Sequence, residues 1–194
     1  MILSPRFEAA LQYACVTHAG QTRKATPIPY ISHLLAVTAL VLEYGGDEDA
    51  AIGALLHDAA EDAGGEPRLC DIRARFGEVV AQIVKGCTDT TENPKPPWRQ
   101  RKEKYIAHLE SATPPTLLVS CCDKLHNARS IVADATNVGE ALWGRFNGGK
   151  GGTVWYYEEL VACFDRLDVP KSLVDELRRT VKTVRDLADG NQPD

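Results

Sequence analysis

The stretch ALLHDAAED, Ala54 to Asp62, closes an apolar run with four ionisable side chains: His57, Asp58, Glu61 and Asp62. A lone buried carboxylate is costly to ionise, so such a cluster calls for a metal, a partner charge or a substrate. On a helix, His57 and Glu61 lie four apart, as do Asp58 and Asp62, making two neighbouring rows on one broad face. Two more ionisable groups interrupt apolar runs: His33 in YISHLLAVTALVL and Asp123 in LLVSCCDKLHNA. Taken singly, the first reads as a core histidine and the second as a helix-surface carboxylate. Convergence of His33, His57, Asp58 and Asp123 from three helices on one divalent ion explains them together. Two imidazoles and two carboxylates without a thiolate suit Mn²⁺, Fe²⁺, Mg²⁺ or Zn²⁺ with water in the open positions. Glu61 and Asp62, one turn further on, are then placed to orient or deprotonate a water made acidic by the ion.

The elements that must position these groups read as helices. Phe7, Ala10, Leu11, Ala14 and Cys15 repeat at helical spacing up to Gly20. GQTRKATPIPY is a loop feeding a second helix from Ile31 to the YGG stop. Asp47 caps a third, expected to run to about Asp62, and CDIRARFGEVVAQIVKG is a fourth. The polar, proline-rich TDTTENPKPPW is a candidate binding loop ahead of a basic helix, RQRKEKYIAHL. After TPP comes TLLVSCCDKLHNARSIVAD, then glycine-rich RFNGGKGGT, then VWYYEELVACFDRL and KSLVDELRRTVKTVRDLAD. With no convincing strand alternation, the reading is all-α, a single-domain helical bundle with its site among the helices. The expected domain is 1–194, with 168–194 a C-terminal helical extension.

Charge narrows the partners. Lys and Arg number 22 against 27 Asp and Glu, for a net charge of -5, so no overall basic field favours nucleic acid. No apolar run approaches the roughly 20 residues of a membrane span, and MILSPRFEAA lacks a secretory signature, which points to the cytoplasm. The six cysteines have no CxxC spacing, and Cys121 and Cys122 read as small packing residues.

The order His33, HDAAED, DKLHNAR resembles the HD-domain superfamily of metal-dependent phosphohydrolases. More narrowly, THAGQTRKATPIPYISHLLAV, ALLHDAAED, RFGEVVAQIVKGCTDT and CDKLHNARSI resemble the hydrolase domain of RelA/SpoT-type alarmone enzymes, over about residues 5–165. The resemblance implies an all-helical fold, Mn²⁺, and removal of the 3′-pyrophosphate of (p)ppGpp to give GDP or GTP and pyrophosphate. It implies His33, His57, Asp58 and Asp123 as metal ligands and Glu61 and Asp62 as the groups that position and activate water. It also implies that Arg23, with Lys24 beside it, packs on the guanine base or lines the nucleotide pocket, and that Asn127 contacts the ribose. RQRKEKY resembles the segment preceding the last metal-ligand helix, so Arg101 and Lys102 are candidate phosphate donors. WYYEEL resembles a segment near the pocket, which brings in Tyr156 and Tyr157. A length of 194 residues points to a stand-alone small alarmone hydrolase. The loop ATPIP, the passage TENPKPPWRQRKEKY and RFNGGKGG depart from the long bifunctional relatives and leave ppApp and NADPH open as substrates. Rival readings are an iron oxygenase built on the same ligands and a nucleotide sensor without turnover.

Overall fold

The computed structural model describes residues 2–90, 92 and 94–191. The described residues form ten α-helices, in chain order α1 (Pro5–Thr17), α2 (Ile31–Glu43), α3 (Glu48–Leu56), α4 (Ala59–Asp62), α5 (Gly65–Phe76), α6 (Glu78–Cys87), α7 (Trp98–Leu109), α8 (Pro114–Val138), α9 (Gly149–Phe164) and α10 (Lys171–Ala188). A 3₁₀ segment, Gly139–Arg145, joins α8 to α9. No strand is present among the described residues, only an isolated bridge between Thr22 and Pro29. The all-α expectation therefore stands. The described helices include none long and apolar enough to cross a membrane.

Local chemistry sets the helix ends. Ser4 caps α1 by accepting from the Arg6 N–H, and Asp47 caps α3 by accepting from the Ala50 N–H at 2.9 Å. Every residue of α3 from Ala50 to Leu56 is buried, so this helix is the inner post of the bundle. Its Gly53 matters for a steric reason: a Cβ there would lie 2.6 Å from Ile83 Cγ2 on α6. On one side of α3, Ile52, Leu55 and Leu56 pack with Ala10, Ile72 and Val80. On the other, Ala50 and Ala54 join a larger cluster with Val37, Leu125, Leu160 and Leu177. α10 closes that cluster with Leu173, Val174, Leu177, Val181, Val184 and Ala188, an apolar stripe at helical spacing.

Two expected helices prove to be four. The third breaks at His57 and Asp58 into α3 and α4, because Asp58 adopts φ -95 and ψ -6, in the bridge region rather than in regular helix. The fourth breaks at Gly77, whose φ of +91 is open to glycine at little cost. α8 runs further than TLLVSCCDKLHNARSIVAD at both ends, and α9 begins inside the glycine-rich passage. The last residues assigned to the C-terminal extension, 192–194, lie outside the described residues, as do positions 91 and 93 of the expected binding loop.

Candidate metal centre and nucleotide cavities

His33 comes from the first turn of α2, His57 and Asp58 from the α3–α4 break, and Asp123 from the middle of α8. All are buried except the partly buried Asp58. His33 Nε2 stands 3.2 Å from Asp123 Oδ1 and 3.6 Å from Asp58 Oδ2. His57 Nε2 stands 3.1 Å from Asp58 Oδ2 and 3.7 Å from Asp123 Oδ1. Donor atoms of His33, His57 and Asp58 lie within 4.8 Å of one another, and Asp123 faces both imidazoles from the opposite helix.

The tautomers favour a cation. His57 Nδ1–H donates to the Ala54 carbonyl at 2.8 Å, which leaves Nε2 with its lone pair. His33 Nδ1 is 2.8 Å from Nδ1 of His126, so one ring donates there and the inner Nε2 of His33 is again turned to the carboxylates. Both Nε2 atoms are buried without a hydrogen bond of normal geometry. Two buried Nε2 atoms without a hydrogen-bond partner, set beside two carboxylates, are what an oxygen- and imidazole-liking divalent ion satisfies. Without the ion, the groups compensate one another. Burial works against charge on His57, but Asp58 beside it outweighs that and raises its pKa. Burial likewise pushes the Asp58 and Asp123 carboxyls up, and His57 and Lys124 respectively pull them below the usual carboxylate range. Burial lowers the pKa of His33, and burial with the neighbouring His33 holds His126 down to about 4.

Outside the four ligand candidates the groups are tied to defined partners. Tyr30 O–H donates to Asp58 Oδ2 at 2.5 Å. Lys124 Nζ donates to Asp123 Oδ2 at 2.6 Å. Asn127, one turn after Asp123, donates to Asp123 Oδ1 at 2.5 Å and accepts from Arg23 Nη2 at 2.6 Å. The amide expected at the ribose is thus also a link between the cluster and the cationic loop. Glu61 and Asp62 do not share partners. Glu61 accepts from Lys95 Nζ at 2.8 Å and from the Asp89 backbone N–H at 3.1 Å, whereas Asp62 accepts from Gln21 Nε2 at 2.8 Å. Burial and the nearby Asp58 charge raise the Asp62 pKa.

Two cavities are lined by residues hydrogen-bonded to the cluster. One of about 430 Å³ is lined by Arg23, Lys24, Tyr30, His126 and Asn127, and by Asp134, Arg145 and Tyr157. The other, about 460 Å³, is lined by Lys24, Glu61, Asp89, Lys95, Arg101, Lys102, Lys124, Tyr156 and Tyr157 among others. Lys24, Asn127, Phe146 and Tyr157 belong to both walls, so the cavities adjoin. The second is strongly cationic. Its Lys102 donates to the partly buried Asp89 at 2.9 Å, and burial with the nearby Lys124 lowers the Lys102 pKa. Arg101 is buried and donates to Asp89 and to the Pro96 carbonyl, which makes it a brace for the loop before α7.

Sequence reasoning missed Tyr30, His126, Lys124 and Asp89. The first two lie three residues from His33 and Asp123 respectively, a one-turn spacing that carried the signal. Asp89, in a polar loop, carried none.

Residues 10–144 match the family model described as HD domain. The chain belongs to the HD-domain family. It is 36% identical over 128 residues to a GTP pyrophosphokinase of Streptomyces antibioticus, covering 65% of this chain and 15% of that protein. It is 32% identical over 124 residues to the guanosine-3′,5′-bis(diphosphate) 3′-pyrophosphohydrolase of Aquifex aeolicus, covering 64% of this chain and 17% of that protein. The chain spans about one sixth of the length of these curated relatives. A solved structure described as a metazoan ortholog of SpoT that hydrolyzes ppGpp superposes with a TM-score of 0.78 at 24% identity, over 96% of this chain and 99% of that one. That likeness shows the HD-domain fold.

Proposed function

We propose that the chain hydrolyses the 3′-pyrophosphate of guanosine alarmones, converting (p)ppGpp to GDP or GTP and pyrophosphate, with Mn²⁺ as the bound ion. The observation that carries this reading is the cluster of His33, His57, Asp58 and Asp123, whose bonded neighbours Tyr30, His126, Asn127 and Lys124 line two adjoining cavities with cationic walls. Similarity to the guanosine-3′,5′-bis(diphosphate) 3′-pyrophosphohydrolase of Aquifex aeolicus supports the same substrate. The four clustered residues would hold the ion, which when bound polarises a phosphoryl oxygen and lowers the pKa of water.

The chain's own groups then divide the remaining work. Lys24, Lys95, Lys102 and Lys124 offset the charge of the phosphates in the second cavity. Arg23 and Asn127, hydrogen-bonded to each other, hold the nucleoside in the first. Glu61 orients the attacking water, fixed from behind by the Asp89 N–H and Lys95. Water attacks the phosphorus bonded to the 3′ oxygen, the P–O3′ bond breaks, and O3′ leaves with a proton. Asp62, whose pKa burial raises and which Gln21 steadies, is the group to manage that proton. In this reading 1–194 acts as one HD unit in the cytoplasm, and the extension from 168 closes the α8–α9 side.

The test is pyrophosphate release by Mn²⁺-loaded protein from ppGpp, with pppGpp, ppApp and NADPH in parallel. Release from ppGpp is expected to be lost together with metal binding in Asp58→Ala. Glu61→Gln is expected to keep the metal and lose about 10²- to 10⁴-fold in rate. Full turnover in Glu61→Gln would remove that residue from the mechanism, and no release from any substrate by metal-loaded protein would overturn the proposal.

A further inference from the structure

The first cavity has a polar far wall that the chemistry at phosphorus does not use. Along α8, His126, Asn127, Ser130, Ile131 and Asp134 follow one another on a single helix face and all line this cavity. His126 touches the metal-ligand candidate His33, and Asn127 touches Asp123. Asp134 lies seven residues beyond Asn127, about 10 Å along the axis. That span is the length of a nucleoside. At its far end Arg145, from the 3₁₀ segment, donates Nη1 to Asp134 Oδ2 at 2.8 Å. The two side chains are only 20% and 32% exposed, so a base reaching them displaces most of the remaining water. No other side-chain hydrogen bond involves Asp134 among the described residues, and its carboxylate keeps free acceptor sites.

We propose that Asp134, held in place by Arg145, reads the edge of the substrate's base and selects guanine over adenine. This rests on the reading of the site as an alarmone hydrolase. The chemistry is specific. Guanine presents N1–H and N2–H₂ side by side, two parallel donors that a carboxylate takes on its two oxygens, as it takes an arginine fork. Adenine presents an N1 lone pair at the same place, against which an acceptor-only carboxylate is repulsive. Arg23 and Lys24, on the same cavity, can serve either purine and do not discriminate. The competing account is that the pair merely clips the 3₁₀ segment to α8, a partly exposed ion pair of small energetic worth. That account predicts no change in base selectivity when Asp134 is altered.

The experiment compares kcat/KM for ppGpp and ppApp in the native protein and in Asp134→Asn, with competitive binding of GDP and ADP as a second readout. An asparagine of the same shape offers one donor and one acceptor, which suits adenine. Native protein should favour the guanosine substrate by about 10- to 100-fold, the range expected for one bidentate base contact, and the preference should collapse or invert in Asp134→Asn. Arg145→Met should raise KM for ppGpp while retaining kcat, since Arg145 holds Asp134 in place at the base end of the cavity. An unchanged ratio in Asp134→Asn, or a native protein indifferent to the base, overturns the assignment. If neither alarmone is turned over, the hydrolase reading fails and the GDP–ADP comparison decides. A guanine preference lost in Asp134→Asn then upholds the assignment, and no preference or no nucleotide binding ends it.

Discussion

Tyr30→Phe removes one oxygen atom and little else. The ring stacks on His18 at 5.2 Å, meets His33 edge-on at 5.6 Å and carries Arg23 at 5.8 Å, and none of these contacts needs the hydroxyl. What is lost is the 2.5 Å hydrogen bond to Asp58 Oδ2, the Asp58 oxygen that faces both imidazoles. A hydrogen bond to a charged acceptor is worth about 1.5–3 kcal/mol, which at about 1.4 kcal/mol per decade is 10- to 100-fold. That agrees with the roughly 10- to 100-fold cost of losing a partner that orients a metal ligand. Titration of Mn²⁺ against a competing chelator should therefore show affinity in Tyr30→Phe reduced by about that factor, with the helical circular dichroism unchanged. A variant that folds normally and binds Mn²⁺ with native affinity would refute the claim that Asp58 is a metal ligand held by Tyr30.

Gly53→Val drives a branched side chain into Ile83, since the Cβ alone would sit 2.6 Å from Ile83 Cγ2. Overpacking of this kind costs about 1–3 kcal/mol, and a Tm lowered by about 2–4 °C per kcal/mol is expected by calorimetry. An undiminished Tm would mean that α3 and α6 are not so closely apposed. Glu176 links helices: the Tyr44 hydroxyl donates to it at 2.5 Å, Arg129 pairs with it, and these partners hold its pKa below the carboxylate value of 4.5. A carboxyl depressed by folding stabilises above its unfolded pKa and loses that contribution as pH falls through the folded value. Glu176→Gln should accordingly be less stable than the native protein above pH 4.5, with the two denaturation midpoints converging in acid. A gap that persists unchanged in acid would refute the linkage.

Much of the candidate site was legible because it violates local pattern. His33 and Asp123 are isolated ionisable groups in apolar helices and HDAAED ends an apolar run with four more, which pointed to a compensating ion; the structure buries His57, leaves Asp58 and Glu61 partly buried and exposes Asp62. The structure brings these ligand candidates together. The helix break at His57 and Asp58 was not legible, because periodicity cannot see an imidazole bonded back to the Ala54 carbonyl or a backbone in the bridge region. Gly77 likewise looked tolerable inside a helix until its positive φ was seen. The partners of the cations were hidden as well. Lys102 and Arg101 read as phosphate donors, yet both are gathered by Asp89, thirteen and twelve positions upstream respectively, and no local spacing encodes that pairing.

The most direct test of the central claim is hydrolysis of ppGpp by Mn²⁺-loaded protein in ¹⁸O-labelled water, with mass analysis of both products. Attack at the phosphorus bonded to O3′ predicts one ¹⁸O in the pyrophosphate and none in GDP. Label in the nucleoside, release of phosphate from the 5′ side, or no hydrolysis by metal-loaded protein would contradict it.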